Sequence, residues 1–242
     1  MFSGKKSTLI CSSLVALTTL SGCLSRSISG GAGGRGLHQQ QAVIYGGELS
    51  ENDVLGLSSA ALVSDEQIQN ALDSAAKIQI TKGAKIMLVQ SGARVPDHSM
   101  IKSFESNYGV SVFSGIAENS SPQSSYAKAL RLAAARSGSE KIVCYWGKVE
   151  SASRELETKV VSWVPIVGQI VPDKAQRMRI QLKIAVIDVR TGSWDIYSSK
   201  TFDDLSVSAK ISRESSDQGQ IDELKSKAYK AAAEEFIQRY SV

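Results

Sequence analysis

Between Arg177 and Val189 the chain carries an alternating pattern: Met178, Ile180, Leu182, Ile184 and Val186 are interleaved with Arg179, Gln181 and Lys183. A period of two sends these sets to opposite faces of a strand, so one face is predicted buried and the other wet. Arg190-Thr191-Gly192-Ser193 follows, a tight turn in which Gly192 supplies a positive φ, and Trp194 to Ser199 is predicted to return antiparallel. The sheet is therefore antiparallel at its later end.

Upstream the pattern is mixed. Ala42 to Tyr45 predicts a short strand. Ser64 with Gln67 three residues on is a capping-box pattern, and Ile68, Ala71, Leu72 and Ala75 then recur at helical spacing. Ala84 to Gln90 predicts a buried strand, Pro96 to Ser106 a helix with Ile101, Phe104 and Tyr108 on one face, and Val110 to Phe113 a short strand. A third helix spans about Ser121 to Arg136, with Tyr126, Ala127, Leu130 and Ala134 toward a core, and leads into a strand from Ile142 to Trp146. From about Ser216 a C-terminal helix carries Ile221, Leu224, Ala228, Ala232 and Phe236 on its inward stripe, with Arg239 near the negative end of its dipole. Four helices or so and at least four strands in this order predict an α+β two-layer sandwich, with a mixed sheet and a C-terminal antiparallel hairpin.

The N-terminus gives an address. Lys5 and Lys6 precede an apolar run from Leu9 to Leu20, and Leu20-Ser21-Gly22-Cys23 closes it. A basic start, an apolar middle and small residues before a cut make a secretory signal. The run falls short of the roughly twenty apolar residues that span a bilayer. The cysteine at the cut resembles the lipobox of bacterial lipoproteins, which implies that Cys23 becomes the first residue and carries a diacylglyceryl thioether and an N-acyl chain. Each buried methylene of such chains contributes about 0.8 kcal/mol, so three chains give lasting attachment. Leu24 follows, where inner-membrane lipoproteins usually carry aspartate, and this favours the outer membrane. The expected organisation is a signal peptide over 1–22, a flexible Gly/Ser/Gln-rich tether over 23–41, and one periplasmic α+β domain over 42–242.

Little in the chain points to a reaction. The two histidines, His38 and His98, have no zinc-binding spacing around them, and no Gly-x-Ser-x-Gly elbow is present. The glycines from Gly30 to Gly36 precede no Gly-Lys-Ser/Thr, so they read as linker and not as a phosphate loop. Cys11 leaves with the signal, Cys23 is the lipid site, and Cys144 sits in the apolar run Ile142 to Trp146 as a small buried hydrophobe. Neither a metal, a cofactor nor a catalytic residue is expected, and the protein is read as a non-enzyme. The formal charge of +4 falls by two on loss of Lys5 and Lys6, and no basic block stands out, so nucleic acid is not an expected partner.

The remaining candidate is the apolar stretch Val160 to Val171, which contains Trp163, Val164, Ile166, Val167 and Ile170. Pro165, Gly168 and Pro172 exclude a regular helix and disfavour a central strand, leaving an apolar loop or a bent hairpin. Folded back, it covers the core. Exposed, it docks on a partner or at the membrane interface, with Trp163 as its anchor.

The lipobox at Leu20 to Cys23, the run from Lys141 to Val149, and the strand from Ile180 ending in Asp188-Val189-Arg190-Thr191-Gly192 together resemble a family of envelope lipoproteins. It includes the curli secretion channel component CsgG and the penicillin-binding-protein activator LpoB, with a fold like that of the N-terminal domain of TolB. The resemblance implies a periplasm-facing domain that works by binding other envelope proteins, without a cofactor. The expected role is an outer-membrane-anchored accessory or assembly factor of a cell-envelope complex serving secretion or peptidoglycan. The alternatives are a lipid-anchored hydrolase directed at peptidoglycan and a ring-forming, homo-oligomeric secretion component.

Overall fold

The computed structural model describes residues 26–29, 47–57, 63–73, 77–116, 123–154, 161–165, 176–204 and 217–242. The signal segment, Cys23 and the strand expected at Ala42 to Tyr45 lie outside them.

Among the described residues one sheet of eight strands carries the fold. Its spine is β3 (Gly109–Phe113), β2 (Lys85–Gln90), β4 (Lys141–Arg154), β6 (Gln176–Asp188) and β7 (Trp194–Ser198), side by side in that order. β3 and β4 both run parallel to β2, whereas β6 is antiparallel to β4 and β7 to β6. Three short strands extend it: β1 (Arg26–Ser27) and β5 (Val161–Pro165) on β4, and β8 (Phe202–Asp204) on β6. The α+β class, the mixed sheet and the later antiparallel hairpin thus match the sequence reading.

Five helices are described: α1 (Glu51–Leu55), α2 (Asp65–Asp73), α3 (His98–Glu105), α4 (Gln123–Arg136) and α5 (Asp217–Tyr240). The connection from β2 to β3 runs through α3, and the one from β3 back past β2 to β4 runs through α4. Parallel crossovers share one hand, so two that step in opposite directions put their helices on opposite faces. One core accordingly lies under α3 and α5, with Phe104, Leu224 and Phe236 against Val143, Tyr145, Ile184 and Val186. The other lies under α1 and α4, with Val54, Leu130 and Ala134 against Ile142, Cys144, Ala185 and Ile187. The sequence indicated only one buried face on β6. That holds as far as Lys183, beyond which Ala185 and Ile187 are covered as well.

The pairing of β4 with β6 starts at Lys141 opposite Asp188 and ends at Ser153 opposite Gln176. β4 therefore continues well past Trp146. Its other edge is shared in succession: β2 pairs with Lys141 to Tyr145, β1 with Lys148 and Val149, and β5 with Glu150 to Arg154.

Candidate functional site

Polar side chains converge at the carboxyl end of β2, where open α/β sheets commonly place ligands. Gln90, its last residue, is fully buried. Its Oε1 accepts from the Tyr145 hydroxyl at 2.5 Å and from the Asp97 backbone N–H at 2.7 Å, while its Nε2 donates to Ser29 Oγ at 3.0 Å. Asp97 precedes α3, and its Oδ2 accepts from Tyr229 Oη at 2.6 Å and from Lys225 Nζ at 3.1 Å. Lys225 also donates to the Ile28 carbonyl at 2.6 Å. One network joins β2, β4, α3 and α5 to the first described residues of the chain.

Burial, reinforced by the Asp97 charge, pushes the Tyr145 phenol well above its ordinary value. Burial, then Tyr145 and Asp97, does the same to Tyr229. Both phenols therefore keep their protons and serve as donors.

What this network holds is the segment 26–29. Arg26 pairs with Val149 and Ser27 with Lys148, and the Ile28 N–H donates to the Gly147 carbonyl at 3.0 Å. Ile28 is only 2% exposed. A Cβ at Gly147 would come within 2.7 Å of the Ile28 side chain, so glycine is what lets Ile28 seat there. Ser29 Oγ donates to the Ser91 carbonyl at 2.6 Å, and the Leu49 N–H donates to Ser91 Oγ at 2.8 Å. The expected tether over 23–41 is thus corrected at 26–29, which is a strand and a buried turn because Ile28 finds a glycine-lined seat on β4. Residues 30–41 of the expected tether lie outside the described residues.

The structure places Trp163 and Val164 on β5, opposite Ala152 and Ser151. Pro165 ends that strand opposite Glu150, and among the described residues β5 is paired along its β4 side alone, the positions where proline is tolerated in a sheet. The bent-hairpin reading applies to this part. Ile166, Val167 and Ile170 fall outside the described residues.

Two apolar surfaces remain uncovered. The capping box of α2 forms as predicted, the Ser64 N–H donating to Gln67 Oε1 at 3.0 Å and the Gln67 N–H to Ser64 Oγ at 3.2 Å. Its apolar residues lie open: Ile68 is 50% and Leu72 65% exposed, and no residue of the helix is buried. Among the described residues β3 pairs with β2 alone, and it exposes Val112 and Phe113.

His98 stands exposed at the start of α3. Cys144 is fully buried, and burial raises its thiol far above its ordinary value, as expected of a core residue. Among the described residues no three His, Cys, Asp or Glu side chains cluster to hold a metal ion. Sequence reading missed Gln90, Asp97, Lys225 and Ile28 as a connected set. The available signal was Gly147, an isolated glycine inside an apolar strand, which marks a close approach.

The YafT bacterial lipoprotein family matches residues 50–239. The chain belongs to that family. A YafT-family lipoprotein is a membrane-anchored protein of the bacterial envelope, and no described helix is long and apolar enough to cross a membrane. Among curated proteins none matches the chain. Among solved structures, this YafT-family chain is similar to a neuraminyllactose-binding hemagglutinin homolog from Helicobacter pylori. The identity is 12%, the coverage 68% of this chain and 89% of that one, and the TM-score 0.29, a likeness too distant to bear on fold or function.

Proposed function

We propose that this lipoprotein is a non-enzymatic accessory or assembly factor, anchored in the outer membrane through lipidated Cys23, that binds other proteins of a cell-envelope complex. The observation that carries the reading is α2. An isolated helix of this length is marginal in water, and most helical stability comes from covering an apolar face. Here the helix is well capped while Ile68 and Leu72 lie open, the condition of a surface made for a partner. Leu24 after Cys23 favours the outer membrane. The likeness to the CsgG and LpoB lipoproteins supports a role in secretion or peptidoglycan assembly.

The test is crosslinking in the native envelope from photoreactive residues at positions 72 and 163, with mass spectrometry of the adducts. A discrete envelope protein captured from position 72 is the expected result. Capture of nothing from that position overturns the assignment to α2. Replacing Cys23 with serine should abolish acyl labelling and release the protein from outer-membrane fractions; unchanged labelling would end the lipoprotein assignment of that cysteine.

A second reading, self-assembly into a ring, is favoured by β3, an edge strand with Val112 and Phe113 exposed. Concentration-dependent assembly in detergent is its signature, and a particle that stays monomeric excludes it.

A further inference from the structure

The succession of partners along one edge of β4 fixes where the lipid must be. β1 runs antiparallel to β4, so its Arg26 end faces the Glu150 end of β4. From Glu150 to Arg154 the same edge belongs to β5, with Pro165 opposite Glu150, next to the last β1 pair. Cys23 stands three residues before Arg26, and an extended chain spans at most about 3.3–3.6 Å per residue. The acyl-bearing sulfur is therefore held within about 10 Å of the Arg26 backbone, plus the length of its own side chain. A free tether over 23–41 would instead give a reach of about 24 Å.

The segment is held at several points. Ile28 fills the Gly147 seat, Lys225 clasps its carbonyl, and Gln90 and Ser91 bond Ser29. We infer that Arg26–Ser29 is a dock that holds the Glu150–Pro165 end of the sheet against the membrane carrying the Cys23 lipid, and that β5 is a membrane-contact strand lying in the headgroup region. The inference rests on the reading of Cys23 as lipidated. β5 suits that place: Val161-Ser162-Trp163-Val164-Pro165 carries no charge and has tryptophan at its centre, the residue enriched where protein meets the bilayer interface. The occupant is the lipid surface because the anchor delivers it there; α2, the proposed protein-binding element, is a separate surface.

The test uses the full-length protein purified from membranes, with intact mass first establishing the acyl groups on Cys23. Ser162→Cys is labelled with a nitroxide; Cys144 is fully buried and does not compete. A Val112→Cys label on β3 is the control. In phosphatidylethanolamine/phosphatidylglycerol vesicles the nitroxide at 162 is expected to favour collisions with oxygen over a water-soluble nickel chelate several-fold more than the one at 112. Equal accessibility at 162 and 112, with Cys23 lipidated and the protein floating with the vesicles, overturns the inference and leaves the lipoprotein reading standing. Absence of acyl groups on Cys23 overturns both.

A second variant isolates the dock. Ten Gly/Ser residues inserted between Ser25 and Arg26 leave the fold and the lipid intact and lengthen only the link. The label at 162 is then expected to become as water-accessible as the control. Membrane contact that survives the insertion overturns the role of the dock in placing β5.

Discussion

At the scale of single residues, Gln90 carries the largest share of the polar network because it satisfies three partners from a fully buried position. Gln90→Leu removes the acceptor of the Tyr145 hydroxyl and of the Asp97 N–H and the donor to Ser29. Each buried group left unpaired costs about 1–3 kcal/mol, so urea unfolding should show a loss of at least about 2 kcal/mol. A loss under about 0.5 kcal/mol would mean that these groups find other partners. The two phenols give this network a pH signature. Their folded values are raised above the ordinary 10, so the unfolded chain gives up its protons first as pH rises. The stability they contribute is complete below pH 10 and declines above it. Tyr145→Phe should flatten the fall in urea midpoint between pH 9 and 11; an unchanged slope would assign the alkaline loss to other groups. Asp188 acts at the other end of the scale. Burial works to raise its carboxyl, but Lys141 at 2.8 Å and the Thr191 bonds outweigh it and hold it below its ordinary value. Its contribution is present above the unfolded carboxylate range and is lost as the pH falls through the folded value.

Among the elements, helix α2 separates two things that a sequence pattern confounds. The capping box and the i, i+4 spacing of Ile68 and Leu72 were enough to locate the helix, since both are local. What covers an apolar stripe is not local, and here Ile68 and Leu72 are exposed. For α4 and α5 the same pattern is buried at Leu130, Ala134, Leu224, Ala228, Ala232 and Phe236, because those helices lie against strands whose own apolar residues need cover. β4 shows the converse. Its first half was legible from the apolar run Ile142 to Trp146, whereas Lys148 to Arg154 are mostly polar and became strand through pairing with β1, β5 and β6. Ser64→Ala should therefore reduce the protection of α2 amides in hydrogen exchange, consistent with the loss of about 1 kcal/mol typical of a cap. The global unfolding midpoint should not move, because nothing in the described core rests on α2. A shift of several degrees would place this helix inside the cooperative unit.

For the whole molecule, the anchor and the fold cannot be treated as separate parts. Read along the chain, Arg26-Ser27-Ile28-Ser29 is a polar strip between a lipobox and a glycine run, and one isoleucine is too little to announce a strand. Its seat is Gly147, its clasp Lys225 and its bonding partners Gln90 and Ser91, all distant in sequence, so the dock exists only once the sheet and α5 have formed. The dependence also runs the other way. A chain beginning at Gly47 loses the burial of Ile28, an aliphatic side chain whose removal from a core costs about 2–5 kcal/mol. It also leaves Gln90 Nε2 without its Ser29 partner and opens the Gly147 face of β4. Compared with a chain beginning at Arg26, it should unfold at lower urea with a deficit of about 2–4 kcal/mol, most of the Ile28 term. Ile28→Ala in the longer chain should reproduce most of that deficit, since backbone pairing alone adds little at a two-residue edge strand. If the shorter chain were as stable as the longer one, the segment behind the lipid would be a passenger on the sheet and could not set the distance between domain and membrane. A measured deficit would instead mean that the same contacts that stabilise the domain also hold it close to its anchor.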